Sequence, residues 1–146
     1  MSFRAVLSVV ITIIIGWVGM LNVSFARKVG IIRGMAYVID GDTIRIEGRS
    51  IRLNGIDAEE LDEPHGNVAR KILIGAIAGR TVTCRDLGDR SYKRIVAVCY
   101  NYRGQDIAAL VIASGGALDC KRYSGGRYRH LEPNGSRKIL IQKKFC

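Results

Sequence analysis

Histidine, proline and tryptophan are scarce in this chain: His65, His130, Pro64, Pro133 and Trp17 are all there is of them. The four cysteines, Cys84, Cys99, Cys120 and Cys146, form no CxxC pair, and neither histidine sits at a spacing from them that zinc sites use. Those absences argue against a zinc module. There is no internal repeat and no low-complexity linker, which excludes a solenoid or a tethered array. Acidic residues are the minority charge, 13 against 23 Lys and Arg, for a net +10. A basic chain of 146 residues has room for one domain. Its charge suits a polyanion, either nucleic acid or anionic lipid, or simply a solubilising surface.

Long apolar runs are missing except at the start. Met1–Arg4 carries one positive charge, 5–21 carries none, and Ser24-Phe25-Ala26 has the small-x-small form of a cleavage site. This order predicts an exported protein with a signal peptide over 1–26 and a domain over 27–146; an uncleaved membrane anchor is the alternative. Export, to a periplasmic or extracellular space, predicts that the cysteines pair. Four cysteines allow three pairings.

The domain opens with short strands. Gly30–Ile39 is rich in Ile, Tyr and Val, Thr43–Glu47 alternates, and Ser50–Ile56 follows a Gly48-Arg49 turn. Residues 57–65 are acidic and aperiodic, hence a loop. Val68, Ala69, Ile72, Leu73 and Ala76 recur at helical spacing and stop at Gly79. Arg80–Arg85 and Arg94–Tyr100 read as strands around a charged loop, 86–93. Asp106 reads as the N-cap of a helix that ends at Gly115-Gly116. Three strands, a helix, two strands and a helix suit a mainly β barrel with helices, five-stranded and of the oligonucleotide-binding type. If the last two strands pair, Cys84 and Cys99 are neighbours at disulfide distance, which leaves Cys120 for Cys146.

Two acidic clusters sit at strand ends: Asp40-Gly41-Asp42-Thr43 and Asp57-Ala58-Glu59-Glu60. Asp beside Gly or Ala often does no more than form a turn. Carboxylates gathered at neighbouring strand ends also repel unless a cation lies among them, and oxygen ligands suit Ca²⁺ or Mg²⁺. Arg52 alternates against Ile51 and Leu53, and Arg94 begins a strand. Each is either a surface arginine covering apolar neighbours or a planar donor for phosphate.

Val38-Ile39-Asp40-Gly41-Asp42-Thr43, Ile51 to Glu60, Gly66-Asn67-Val68-Ala69, and Asp89 to Ala97 stand in the order and form of the staphylococcal nuclease (thermonuclease) family, which this chain resembles from about Tyr37 to Tyr123. The resemblance implies the five-stranded barrel and a Ca²⁺-dependent nuclease acting on DNA and RNA. It assigns Asp42, Asp57 and the Ala58 carbonyl to calcium. Glu60 would activate water, Arg52 and Arg94 would hold the phosphate, and Asp40 and Thr43 would support the metal site. A monomer without an obligate protein partner is expected.

The chain departs from the family at three places. Glu59 stands where the family usually has proline, which predicts a looser loop and a carboxylate able to compete for the metal or for the role of base. Lys93 replaces a glycine, and Pro133-Asn134-Gly135 interrupts what is usually a long helix. Tyr92 and Tyr123 are candidates for substrate contact or ordinary half-buried tyrosines; His65 and His130 read as lone surface histidines. A non-catalytic nucleic-acid-binding barrel and a membrane-anchored envelope protein are the competing functions.

Overall fold

The computed structural model describes residues 30–146; the expected leader over 1–26 lies outside the described residues. Strands β1 (Ile31–Val38), β2 (Thr43–Ile46) and β3 (Arg49–Leu53) form an antiparallel meander, as the alternation predicts. After a short β4 (Ile56–Asp57) and helix α1 (Gly66–Ile77) come β5 (Thr81–Ser91) and β6 (Arg94–Tyr100). β6 pairs parallel to β3, and β5 pairs back onto β1, so the order β1-β2-β3-β6-β5 closes a barrel. This is the expected five-stranded architecture with helices.

Alternation fills the barrel. Ile44, Ile46, Ile51, Leu53, Val82, Cys84 and Ala97 are buried inside, while Arg45 and Arg49 between them face water. α1 buries Ala69, Leu73 and Ile77, one stripe at i, i+4 and i+8. It meets α2 (Ile107–Ala113) across the end of the barrel. Asp106 caps α2 as its sequence predicts, accepting from the amides of Ala108 at 3.0 Å and Ala109 at 3.3 Å.

Three features depart from the expectations or add to them. The third strand does not reach Ile56: Asn54-Gly55 turns the chain, with Gly55 at φ 81°, and β4 leaves the barrel to pair with β7 (Leu118–Asp119). The charged loop over 86–93 is mostly strand. β5 runs to Ser91, with a register shift between Asp86 and Arg90, because Arg90 and Ser91 still pair with Ile95 and Arg94. The third change is β7 itself, with the short helices α3 (Lys121–Ser124) and α4 (Ser136–Ile139), which periodicity is too brief to show. Polar side chains fasten this last stretch. Arg137 bonds both Glu132 oxygens at 2.7 Å, and Gln142 donates to the Asp119 carbonyl at 3.0 Å. Among the described residues no helix is long and apolar enough to cross a membrane.

Both expected disulfides are present. Cys84 and Cys99 are register partners on β5 and β6, and Cys120 is bonded to Cys146. The first closes a loop of sequence separation 15 inside the barrel wall. Replacing both of its cysteines by serine should lower the unfolding free energy by about 2–5 kcal/mol. Urea titration of the double variant beside the parent checks this.

Candidate functional site

The meander turn puts Asp40, Asp42 and Thr43 at the mouth of the barrel. Gly41 is needed there: a Cβ would come within 2.6 Å of Ala58 Cβ and 2.5 Å of Ala69 Cβ. The turn is therefore pressed against the second acidic cluster and against α1, which a generic Asp-Gly turn does not require. Asp40 Oδ1 accepts the Asp42 amide at 3.0 Å and fixes the turn from within.

Cross-strand register then sets Thr43 opposite Arg52. Arg52 Nη1 donates to Asp42 Oδ1 at 2.6 Å, and its Nη2 lies 3.9 Å from Asp57 Oδ1. Thr43 Oγ1 donates to the same Asp42 oxygen at 3.0 Å and accepts from Arg94 Nη1 at 2.9 Å. Ser91 Oγ holds the other arm of Arg94 at 3.2 Å. The two arginines thus hang from one chain of hydrogen bonds, Arg52–Asp42–Thr43–Arg94.

Asp42 and Asp57 are both buried. Burial pushes the Asp42 carboxyl up to about 6; Arg52 pulls it down, and Asp40 adds to the rise. Burial also raises Asp57, against the Lys143 amide and Arg52. Each of these acids carries a desolvation penalty that one guanidinium does not cancel. That is the environment in which a further cation is favoured. The donors are oxygen only, as Ca²⁺ and Mg²⁺ prefer, and every cysteine is committed to a disulfide. Among the described residues no three His, Cys, Asp or Glu side chains gather as a metal site. The two carboxylates would need a backbone carbonyl, such as that of Ala58, and water beside them.

Glu60 is exposed and lines a cleft of about 700 Å³ with Arg52, Asp57, Arg94, Tyr92 and Tyr123. Its backbone lies against Gly66, where a Cβ would stand 1.8 Å from the Glu60 carbonyl oxygen. The first residue of α1 is thereby tied to the loop that carries Glu60. Tyr92 stands out in solvent, 95% exposed, rather than half-buried.

Glu59 does not behave as its place beside Glu60 suggests. It is buried and turned away from the cleft: its oxygens accept the amides of His65 at 2.8 Å and Ile141 at 2.9 Å, with His65 Nδ1 at 3.1 Å. Its oxygens are taken up by these donors, and the loop is fastened rather than loosened. His65 is accordingly no lone surface histidine, whereas His130 is exposed.

Sequence reading missed the chain's last residues, among which Lys143 and Phe145 line the cleft. The Lys143 amide donates to Asp57 Oδ2 at 2.7 Å, and its ammonium bonds Glu63 at 2.8 Å. The reason is long-range placement: Asp57 pairs with Leu118, two residues before Cys120, and the Cys120–Cys146 bridge returns the tail to Asp57.

Comparison with known proteins agrees with this geometry. The family model described as "Staphylococcal nuclease homologue" matches residues 50–134. The chain belongs to that family. The match takes in Arg52, Asp57, Glu60 and Arg94; Asp42 and Thr43 precede it and join them through the barrel register. The chain is 36% identical over 106 residues to the succinoglycan biosynthesis protein ExoI of Rhizobium meliloti (strain 1021), covering 65% of this chain and 56% of that protein. It is 30% identical over 91 residues to an uncharacterized endonuclease of Escherichia coli, covering 60% of each. The match thus spans less than two thirds of these relatives' own length.

The Glu59 anchor carries a pH consequence. Burial favours its protonation, but the hydrogen bonds from Ile141 and His65 outweigh burial and hold its carboxyl below the ordinary value. A lowered folded pKa contributes stability above the unfolded pKa, and that contribution is lost as pH falls through the folded value. The Ile141 amide should therefore be protected from exchange at neutral pH, and its protection relative to the intrinsic rate at each pH should fall in acid below the usual glutamate range. Glu59→Gln should show fast exchange already at neutral pH. Hydrogen exchange read by mass spectrometry on the C-terminal peptide checks both.

Proposed function

We propose that this protein is an exported, Ca²⁺-dependent nuclease that hydrolyses phosphodiester bonds of DNA and RNA. The observation that carries the reading is the Arg52–Asp42–Thr43–Arg94 chain beside a cleft that also holds an exposed carboxylate, Glu60. Family membership and an endonuclease-named relative support the reaction class. Two disulfides support an oxidising compartment, periplasmic or extracellular.

Each part follows from its surroundings. Arg52 and Arg94 offer planar donors to the phosphoryl oxygens, held in place by Asp42, Thr43 and Ser91 so that little reorganisation is needed as charge grows. Glu60, exposed in the cleft, takes the proton from the attacking water. Asp42, Asp57 and the Ala58 carbonyl are the residues that would hold calcium, with Asp40 and Thr43 behind them. Bound there, the ion would supply fixed positive charge to the phosphoryl group.

Cleavage of DNA and RNA by the purified protein, measured across a Ca²⁺ series and with chelator, tests this. Arg52→Lys keeps a charge for Asp42 but loses the fork, and should slow turnover by about 10²–10³. Glu60→Gln should slow it by about 10²–10⁴, whereas Glu59→Gln should act mainly on the tail. Asp42→Ala should regain part of its rate as Ca²⁺ rises. Circular dichroism separates these effects from unfolding. A wild-type protein that binds nucleic acid yet cuts none of it at any Ca²⁺ concentration would instead be a binding barrel.

A further inference from the structure

Residues 140–146 have no helix or strand, yet they are held against the cleft at three points. Ile141 N–H bonds Glu59, Lys143 N–H bonds Asp57, and Cys146 is joined to Cys120. Phe145 lies between the last two of these fastenings. The residue is 48% exposed, and its ring meets that of half-exposed Tyr123 edge to face, centroids 6.5 Å apart at 66°. Both rings line the same cleft as Arg52, Glu60 and Arg94. What sets this ring apart from other exposed apolar side chains is its place: it shares a cleft with two arginines and a second aromatic ring. It is kept half in solvent, on the wall of that cleft, by a covalent bond at the next residue.

We propose that the disulfide-anchored tail is a wall of the substrate cleft, and that Phe145 on it stacks against an unpaired nucleobase beside Tyr123. The inference rests on the nuclease reading and adds to it a residue of this chain's own tail that meets the base. Arginines in the cleft engage the phosphate, and an exposed aromatic face within the same cleft engages the base attached to it. Such stacking is tolerant of sequence because every base has a π-face. Bases inside a duplex have both faces covered by their neighbours, so the contact favours single strands or frayed ends. Phe145 acts on affinity rather than on the proton transfer, because its ring carries no group that takes part in the chemistry.

The experiment measures binding of a fluorescein-labelled single-stranded oligonucleotide by anisotropy in chelator, where no cutting occurs. An abasic strand of the same length is run beside it. Phe145→Ala and Phe145→Leu should each weaken binding of the normal strand by about fivefold or more, and leave the abasic strand unaffected. Leucine keeps apolar bulk without a ring, so equal losses in the two variants identify stacking. Cys120→Ser/Cys146→Ser should lose as much, and adding Phe145→Ala to it should cost nothing further. With Ca²⁺ restored, KM for single-stranded substrate should rise in the Phe145 variants while kcat holds. Unchanged thermal midpoints in the Phe145 variants show that the fold is intact. Phe145 variants that bind the normal strand as tightly as the parent, or that lose the abasic strand equally, overturn the inference. A parent that binds but never cuts overturns the nuclease reading and leaves this contact standing; a parent that does neither overturns both.

Discussion

Asp42 Oδ1 accepts from Arg52 and from Thr43, and Thr43 accepts from Arg94, so a single buried carboxylate positions both arginines of the cleft. Everything else at the site is arranged around that oxygen. The β2–β3 register brings Arg52 opposite Thr43. The parallel pairing of β3 with β6 carries Arg94 to the same end of the barrel. Gly41 lets the turn approach Ala58 and Ala69 closely enough for the carboxylate to be buried. Burial is costly for an acid, and breaking a buried pair by removing one partner costs about 3–5 kcal/mol. The arrangement is therefore stable only as a whole, and a cation added beside Asp42 and Asp57 works with that economy of charge rather than against it.

The parts of this arrangement that lie in local pattern could be read from the sequence. Alternation in Thr43–Ile46 and Arg49–Leu53 places Ile44, Ile46, Ile51 and Leu53 inside the barrel and leaves Arg52 outside it. Asp106 announces its helix, and cross-strand neighbours Cys84 and Cys99 announce their bond. What escaped reading depends on long-range placement. β4 and β7 are two residues each, too short for any period, and they exist because Asn54-Gly55 turns the chain toward Leu118. The strand through Arg90 and Ser91 is maintained by its partner, Arg94–Ile95, against a local composition that resembles a loop.

Glu59 is the instructive failure. Beside Glu60, in an acidic loop, its side chain looks available for chemistry. Its actual surroundings come from His65, six residues on, and from Ile141, at the far end of the chain. Sequence proximity suggests a common setting for these two carboxylates; the fold gives them different ones. Glu60 points into the cleft, while Glu59 points inward and becomes an acceptor for amides that would otherwise be unpaired.

That substitution also explains why the tail can do work at the cleft. Where the family commonly stiffens the loop with proline, this chain stiffens it with hydrogen bonds, one of which reaches the tail. A proline at the position has no acceptor to offer Ile141, so the same loop could not anchor the same segment. The Cys120–Cys146 bond complements this anchor: the side-chain carboxylate fixes one end of the segment and the disulfide fixes the other, with Lys143 bonded to Asp57 between them. A short stretch held at three points loses little further entropy when a ligand meets it. The tail therefore serves as a preformed surface, and the half-exposed ring of Phe145 is set on it before any substrate arrives.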